Sequence, residues 1–270
     1  MGAVNYDVPT ELAINASGFG FAVWTTWEGE IWTNRYTPNN GWETAERVPT
    51  QGEGHVSSFP PPRVATANDG SAMIVWMENQ PDAIWGSRFT LSGGWRPAEL
   101  IDRGFEQYGV LAGPDVAMDA QGNAFAVWRR SADEYEVVAS RYASGNGWSE
   151  AERIDDGSAD GSYDIRIGMA PDGAAIAIWT LFQTGGPNIF ANRYAPGVAM
   201  SRCKRAPPHR EWLGPRTACC SLIAVRRTTE AWRATIHRSL LTRRATGRVR
   251  PARCLRQRGP HPSAGRSNHA

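Results

Sequence analysis

The chain has 270 residues, a net charge of +2 and 41% hydrophobic residues. No apolar run reaches the ~20 residues of a membrane-spanning helix, which excludes such a span. The 12 Trp, 7 Tyr and 8 Phe exclude a wholly disordered chain. The averages combine two different segments: residues 1–198 hold 12 Arg, no Lys and 25 acidic residues, whereas residues 199–270 hold 16 Arg, one Lys and two acidic residues.

The first segment repeats with a period of about 52 residues. Four tryptophans lie 52, 52 and 51 residues apart, at Trp24, Trp76, Trp128 and Trp179. A glycine lies six residues before each, in GFGFAVW, GSAMIVW, GNAFAVW and GAAIAIW. Each Trp is followed by an Arg-aromatic pair, and in the first three copies by Gly-Trp and then Ala-Glu. So many positions in register indicate one structural unit used four times.

Each repeat predicts four short β-strands separated by Gly, Asn or Asp turns. The first strand is like Arg63–Ala67, the second ends at the repeat Trp, the third is like Ile84–Phe89 and the fourth is like Trp42–Val48. The second strand is apolar on both faces, since Ala72, Ile74 and Trp76 alternate with Met73, Val75 and Met77. A sheet of four strands that is buried on both faces is typical of a β-propeller blade.

The fold class predicted from this pattern is all-β: a partial β-propeller of four four-stranded blades in residues 1–198. The repeats cover about 8–50, 61–103, 114–156 and 163–198. The fourth repeat lacks Gly-Trp and Ala-Glu after Tyr194, so its outer strand is expected to be missing. Propellers usually have about four to eight blades. Either four blades close imperfectly, or the chain is part of a longer protein whose exposed blade edge favours self-association.

Residues 199–270 are predicted to form an irregular or disordered tail. They contain no Phe, Tyr or Asp, and they hold all four Cys at spacings that do not match a zinc site. An Arg excess almost without Lys is typical of a GC-rich gene translated out of frame. The alternative is a genuine basic arm that binds nucleic acid or an anionic surface, although it lacks aromatic side chains to stack on bases. No signal peptide is visible at residues 1–6.

A candidate ligand site recurs once per blade. An Arg, a Trp and a Glu could together bind sugar, because an aromatic ring supports the C–H face while guanidinium and carboxylate groups bind hydroxyls. The alternative interpretation is a structural Arg–Glu bridge packed on the Trp. The candidate residues are Arg35, Trp42 and Glu46, then Arg88, Trp95 and Glu99, then Arg141, Trp148 and Glu152.

A second candidate is a calcium loop between the third and fourth repeats. Oxygen-bearing side chains at positions one, three, five and nine, with glycine at six, are those that a calcium loop uses. A helix–loop–helix site would also need Glu at position twelve, which is Ile167 here, so the segment resembles the shorter calcium loops of some propellers. The alternative is an acidic surface turn, and no other cofactor is predicted. The candidate ligands are Asp156, Ser158, Asp160 and Asp164.

No catalytic constellation is recognisable, since residues 1–198 contain a single histidine, His55. The unit GNAFAVW … SRY … GWSEAERI at residues 122–154 resembles bacterial extracytoplasmic β-propeller repeats. That resemblance implies a secreted or surface location and a function that is either unknown or binding. The repeat also resembles sialidase-type propellers, without their Asp-box, and fucose-binding propeller lectins.

The predicted function is therefore a non-catalytic binding or scaffold module for glycans or proteins. The alternatives are a fragment of a propeller glycoside hydrolase and nucleic-acid binding by the tail. Glycan binding that is lost in Trp95→Ala with the fold retained would favour the first, and turnover of a chromogenic glycoside would favour the hydrolase.

Overall fold

The computed structural model of the chain describes residues 10–50, 55–57, 60–79, 82–103, 110–131, 135–155, 162–183, 186–197, 225–228 and 231–234. All of them belong to the first of two units, Met1–Ile236 and His237–Ala270. The described residues form strands and turns without an α-helix, which confirms the predicted all-β class. It follows that this part of the chain has no helix that could cross a membrane.

The first blade is an antiparallel sheet whose fourth strand is split in two. The strands are β1 (Glu11–Ile14), β2 (Gly20–Thr25), β3 (Ile31–Thr37), β4 (Gly41–Trp42) and β5 (Glu46–Arg47). In spatial order the sheet runs β1-β2-β3-β4, and β5 also pairs with β3. Residues 43–45 leave the predicted fourth strand between its two halves.

The second and third blades repeat this arrangement. The strands of blade 2 are β6 (His55–Val56), β7 (Arg63–Thr66), β8 (Ala72–Asn79), β9 (Ala83–Thr90), β10 (Gly94–Trp95) and β11 (Glu99–Arg103). The strands of blade 3 are β12 (Val110–Met118), β13 (Ala124–Ser131), β14 (Tyr135–Ala143), β15 (Gly147–Trp148) and β16 (Glu152–Arg153). In both blades the fourth strand is again divided, and its two halves pair with the third strand.

The fourth blade has three strands within the described residues. They are β17 (Ser162–Met169), β18 (Ala175–Gln183) and β19 (Gly186–Tyr194). Residues 198–224, where an outer strand would follow, lie outside the described part of the chain. Further along, β20 (Val225–Thr228) and β21 (Ala231–Ala234) form a separate antiparallel pair in the Arg-rich segment.

The turn between the first and second strands depends on the repeat glycine. Gly18, Gly70, Gly122 and Gly173 all have φ between 77° and 86°. A side chain is strained in this left-handed region, whereas glycine adopts it freely. This explains why a glycine precedes each repeat Trp by six residues.

The first strands of successive blades lie side by side, with β7 between β1 and β12 and with β17 beyond β12. They are therefore the inner strands, and the divided fourth strands lie outermost. Between neighbouring blades lie separate apolar layers, one of which joins Met73 and Val75 of blade 2 to Ala126 and Trp128 of blade 3. Blades stacked face to face around inner strands confirm the partial β-propeller.

Candidate functional site

The repeat arginines of the first three blades each lie over an aromatic ring of the next blade. Arg35 Cζ is 5.1 Å from the Phe89 ring centroid. Arg88 Cζ is 5.4 Å from the Tyr142 centroid, and Arg141 Cζ is 5.6 Å from the Tyr194 centroid. These rings follow the repeat arginines of blades 2, 3 and 4 in the sequence. Cation–π contacts therefore link the blades in series.

The predicted bridges from these arginines to Glu46, Glu99 and Glu152 do not occur among the described ion pairs. Arg35 instead binds Glu43, with 2.7 Å between Nη2 and Oε2. The reason is the strand register: Glu99 lies opposite Gly86, two residues before Arg88, and Glu152 lies opposite Ala139, two residues before Arg141. Arginine and glutamate thus share a face but are displaced along it, and the guanidinium turns to the next blade.

The outer-strand tryptophans also contact a neighbouring blade rather than only their own. A Cβ atom placed on Gly86 of blade 2 would lie 3.3 Å from Trp148 Cζ2 of blade 3. Likewise, Trp95 of blade 2 packs edge-on against Phe21 of blade 1, with 5.8 Å between ring centroids. Trp42 belongs to blade 1, which has no described blade before it, and is 52% exposed.

The structure therefore assembles the candidate residues across blade boundaries. Between blades 2 and 3, a Cβ on Gly147 would lie 3.6 Å from Glu99 Oε2, which places this carboxylate beside the strand that carries Trp148. We call the set of Arg88, Glu99 and Trp148 the 2–3 groove. In it Glu99 is exposed and Trp148 is half-buried.

The two other grooves are less complete. Between blades 1 and 2, the corresponding residues are Arg35 and Glu46 of blade 1 and Trp95 of blade 2. Trp95 packs against Phe21 and Phe89 and contributes to the apolar layer between the blades. Truncation of Trp95 would therefore disturb the core as well as any ligand site. Between blades 3 and 4, Arg141 and Glu152 have no counterpart of the outer tryptophan among the described residues of blade 4.

Arg88 is fixed in the 2–3 groove by three contacts. Its Nη1 donates a hydrogen bond to Ser144 Oγ at 3.0 Å, and its Cζ lies over the Tyr142 ring. Its Nη2 lies against Gly122, where an added Cβ would be only 2.6 Å away. This arginine is thus a preorganised donor whose long side chain has little conformational freedom left to lose.

A row of charged residues on the inner strands was not predicted from the sequence. Glu11 forms an ion pair with Arg63, 52 residues later. Asp115, another 52 residues on, accepts a hydrogen bond at 2.9 Å from the backbone N–H of Ile167. Glu11, Arg63, Asp115 and Arg166 each lie seven residues before a repeat glycine, so these four residues occupy one repeat position. Aligning the repeats would have revealed this alternation of negative and positive charge along neighbouring inner strands.

Burial raises the pKa of Asp115 above its usual range, while Ile167 N–H and the positive charges of Arg63 and Arg166 act in the opposite direction. Burial likewise raises the pKa of Asp102, opposed by Arg130 and by the Trp128 indole, which donates to Asp102 Oδ2 at 3.0 Å. Asp102 belongs to blade 2 and Trp128 to blade 3. Both carboxyl groups therefore serve contacts between blades.

The raised pKa of Asp115 predicts a pH-dependent cost to stability. The folded state holds the proton more tightly than the unfolded state, so stability falls as pH rises above about 4 toward the folded pKa. Asp115→Asn cannot ionise. We expect the free energy of unfolding of the wild type to decline relative to this variant between acidic and neutral pH, as measured by urea denaturation at a series of pH values. A difference that is independent of pH would contradict the burial of a titrating carboxyl here.

The described residues contain no group of three His, Cys, Asp or Glu side chains that could hold a metal ion. Of the candidate calcium ligands, Asp156, Ser158 and Asp160 lie outside the described residues. Asp164 is exposed, and its φ is 50°. The calcium loop therefore stays a prediction, as does nucleic-acid binding by residues 199–270.

No protein-family model matches the chain, and no curated protein matches it. Among solved structures, AofleA from Arthrobotrys oligospora is similar at 13% identity and a TM-score of 0.49, over 75% of this chain and 59% of that one. A mutant of Aleuria aurantia lectin in complex with Fucalpha1-6GlcNAc is similar at 14% and 0.49, over 73% and 62%. The GH43 endo-arabinanase from Bacillus licheniformis is similar at 13% and 0.43, over 75% and 78%.

The chain spans about three fifths of the length of the first two structures. Each similarity is distant, and the assignment of the fold rests on the blades themselves. The chain is thus a partial β-propeller of four blades, in which Arg88 and Glu99 of blade 2 lie against the part of blade 3 that carries Trp148.

Proposed function

We propose that the chain is a non-catalytic binding module that takes carbohydrate in the groove between neighbouring blades, with the 2–3 groove as its best-formed site. The observation that carries this proposal is that Glu99 of blade 2 lies beside Gly147 of blade 3, while Trp148 lies against Gly86, which pairs with Glu99 on the strand that also carries Arg88. The grooves between blades 1 and 2 and between blades 3 and 4 offer weaker versions of the same site.

The chemistry of the groove suits a sugar. Diagonal neighbours on adjacent strands are about 7–8 Å apart, so Arg88 and Glu99 are spaced to bind different hydroxyl groups of one ring. Charge-assisted hydrogen bonds of this kind are short and directional. The half-buried Trp148 indole offers an apolar surface for the C–H face of the ring. Glu99 has no ion-pair partner among the described residues, so its oxygens are available to a ligand.

Glu99→Gln is expected to raise the dissociation constant for a bound sugar about tenfold. The change keeps the shape of the side chain but removes the charge that strengthens its hydrogen bonds, and a bond to a charged group contributes about 1.5–3 kcal/mol. The measurement is isothermal titration calorimetry of the full chain against a panel of free monosaccharides and short oligosaccharides. Because Glu99 is exposed, the fold should be unaffected, which thermal unfolding checks.

The matched control is Glu28→Gln, which makes the same change at an exposed glutamate in the turn between β2 and β3. This control should bind as the wild type does. Trp148→Phe provides a second probe that keeps an aromatic ring in the groove while reducing the platform, and it should also weaken binding. If no sugar in the panel binds, or if Glu99→Gln and Glu28→Gln behave alike, the proposed site is wrong.

A fragment of a propeller glycoside hydrolase is the second candidate function. The observation that favours it is Asp115 on an inner strand, whose burial raises the pKa of a carboxyl that lies near Arg63 and Arg166. A carboxyl that keeps its proton at higher pH can act as a general acid. Turnover of a chromogenic glycoside that disappears in Asp115→Asn and persists in Glu99→Gln would favour this function over carbohydrate binding alone.

A further inference from the structure

The contacts between blades follow one rule. In each of the first three blades, the residue three positions before the repeat Trp and the residue directly before it face the next blade. Val23 of blade 1, for example, packs with Ile74 and Trp76 of blade 2. Val75 of blade 2 packs with Trp128 of blade 3, and Val127 of blade 3 packs with Trp179 of blade 4. Each interior interface thus joins an apolar pair on one blade to the repeat Trp of the next.

No described residue covers the same positions of blade 4. Ile176 and Ile178 precede Trp179 by three and one residues, and they are 52% and 37% exposed. The corresponding residues of blade 2, Met73 and Val75, are fully buried. We call the surface formed by Ile176, Ile178 and Arg193 the trailing face.

The opposite end of the blade stack is uncovered in a complementary way. Leu12 and Ile14 of β1 are largely exposed, although Val116 and Met118, at the same repeat positions of blade 3, pack against blade 2. Trp42 is also exposed, whereas its blade 3 counterpart is packed on blade 2. We call the surface formed by Leu12, Ile14, Trp24, Tyr36 and Trp42 the leading face.

The series of cation–π contacts is open at both ends. Arg193 occupies the position of Arg35, Arg88 and Arg141, yet its side chain is exposed and lies over no aromatic ring among the described residues. Tyr36 occupies the position of Phe89, Tyr142 and Tyr194, and no described arginine lies over its ring. The trailing face therefore presents Arg193 without a described aromatic ring beneath it, and the leading face presents Tyr36 without a described arginine over its ring.

We infer that the trailing face binds the leading face of a second copy of this chain, with Arg193 stacked on Tyr36 of that copy and Ile176 and Ile178 packed on its Trp24. Such a contact is head to tail, and it forms a closed ring when the rotation between copies allows. Two copies would supply eight blades, within the range in which propellers close. The contact would reproduce the chemistry of the three interfaces inside the chain.

The test is the mass of the full chain in solution, measured by light scattering after size exclusion over a range of concentrations. The expected result is a species of twice the 29.6 kDa chain mass. Ile176→Glu should shift it to the monomer and raise the dimer dissociation constant at least about tenfold, because the interface would bury an unpaired carboxylate. Arg193→Ala and Tyr36→Ala should each weaken the dimer, and the double variant should be no weaker than the stronger single effect.

Leu91→Glu is the matched control, because Leu91 is 55% exposed in a turn of blade 2 outside both end faces. It should remain dimeric, and circular dichroism should show the same sheet content for all variants. A wild type that is monomeric at every concentration would overturn the inference. So would a dimer that Ile176→Glu leaves intact, since its contact would then lie elsewhere.

Discussion

Replacing Trp128 by alanine is expected to lower the free energy of unfolding by about 3–5 kcal/mol. This Trp is fully buried in the layer between blades 2 and 3, and its indole N–H binds Asp102. Truncation would leave a cavity between two blades and would remove a hydrogen bond to a carboxyl whose pKa burial already raises. Urea denaturation followed by tryptophan fluorescence and circular dichroism measures the loss.

Trp24→Ala is the control for this prediction. Trp24 has the same position in its repeat but is only half-buried, because no described blade covers its face of blade 1. Replacing Trp24 by alanine should therefore lower the free energy of unfolding clearly less than replacing Trp128 does. Equal losses at the two sites would show that the position in the repeat, rather than the covering blade, sets the stability. The comparison is best made at a protein concentration at which the chain is monomeric.

Gly113→Ala is expected to lower the free energy of unfolding by about 1–3 kcal/mol or more, as overpacking does. A Cβ atom on Gly113 of β12 would overlap Cγ of Pro60 and would lie 2.6 Å from its Cβ, and Pro60 lies between β6 and β7 of blade 2. The proline ring cannot rotate away as a flexible side chain would. Two blades would therefore have to separate, or the backbone of β12 would have to shift. Chemical denaturation of the variant at neutral pH measures this loss.

Gly168→Ala is the matched control, since it makes the same change on the inner strand of blade 4. A Cβ there would have no heavy atom within 4 Å. Because alanine restricts the unfolded chain more than glycine, this variant should be neutral or more stable by up to about 1 kcal/mol. If the two variants are equally stable, the close approach of Gly113 to Pro60 does not occur in solution.

The end blades differ from the interior blades in a way that matters for both proposals. In blades 2 and 3 the second strand is buried on both faces, from Ala72 to Met77 and from Ala124 to Trp128. In blade 4 exposed and buried residues alternate, as at Ile176 and Ala177. The same repeat unit is therefore covered on both faces in the interior of the stack and on one face at its end. Sugar binding in the 2–3 groove uses an interior interface, whereas self-association uses the two ends, so each can be disrupted without the other.

The sequence by itself determined the repeat, the strand order within a blade and the need of interior blades for apolar cover on both faces. These are local properties: a glycine that needs positive φ fixes a turn, and an apolar run such as Ala72–Met77 requires cover on both faces. The calcium loop at Asp156 and the role of residues 199–270 stay predictions. The fourth strand was predicted as continuous and is divided, since residues 43–45 leave the ladder.

Only the tertiary structure decided which residues of different repeats meet. The sequence grouped Arg88 and Glu99 with Trp95, because all three belong to one repeat. In the folded chain Arg88 lies over Tyr142, and Glu99 lies beside the strand that carries Trp148. The reason is that a side chain on the face of a blade points away from its own sheet and toward the next one. Contacts between repeats therefore depend on how blades stack, which a periodic sequence does not specify.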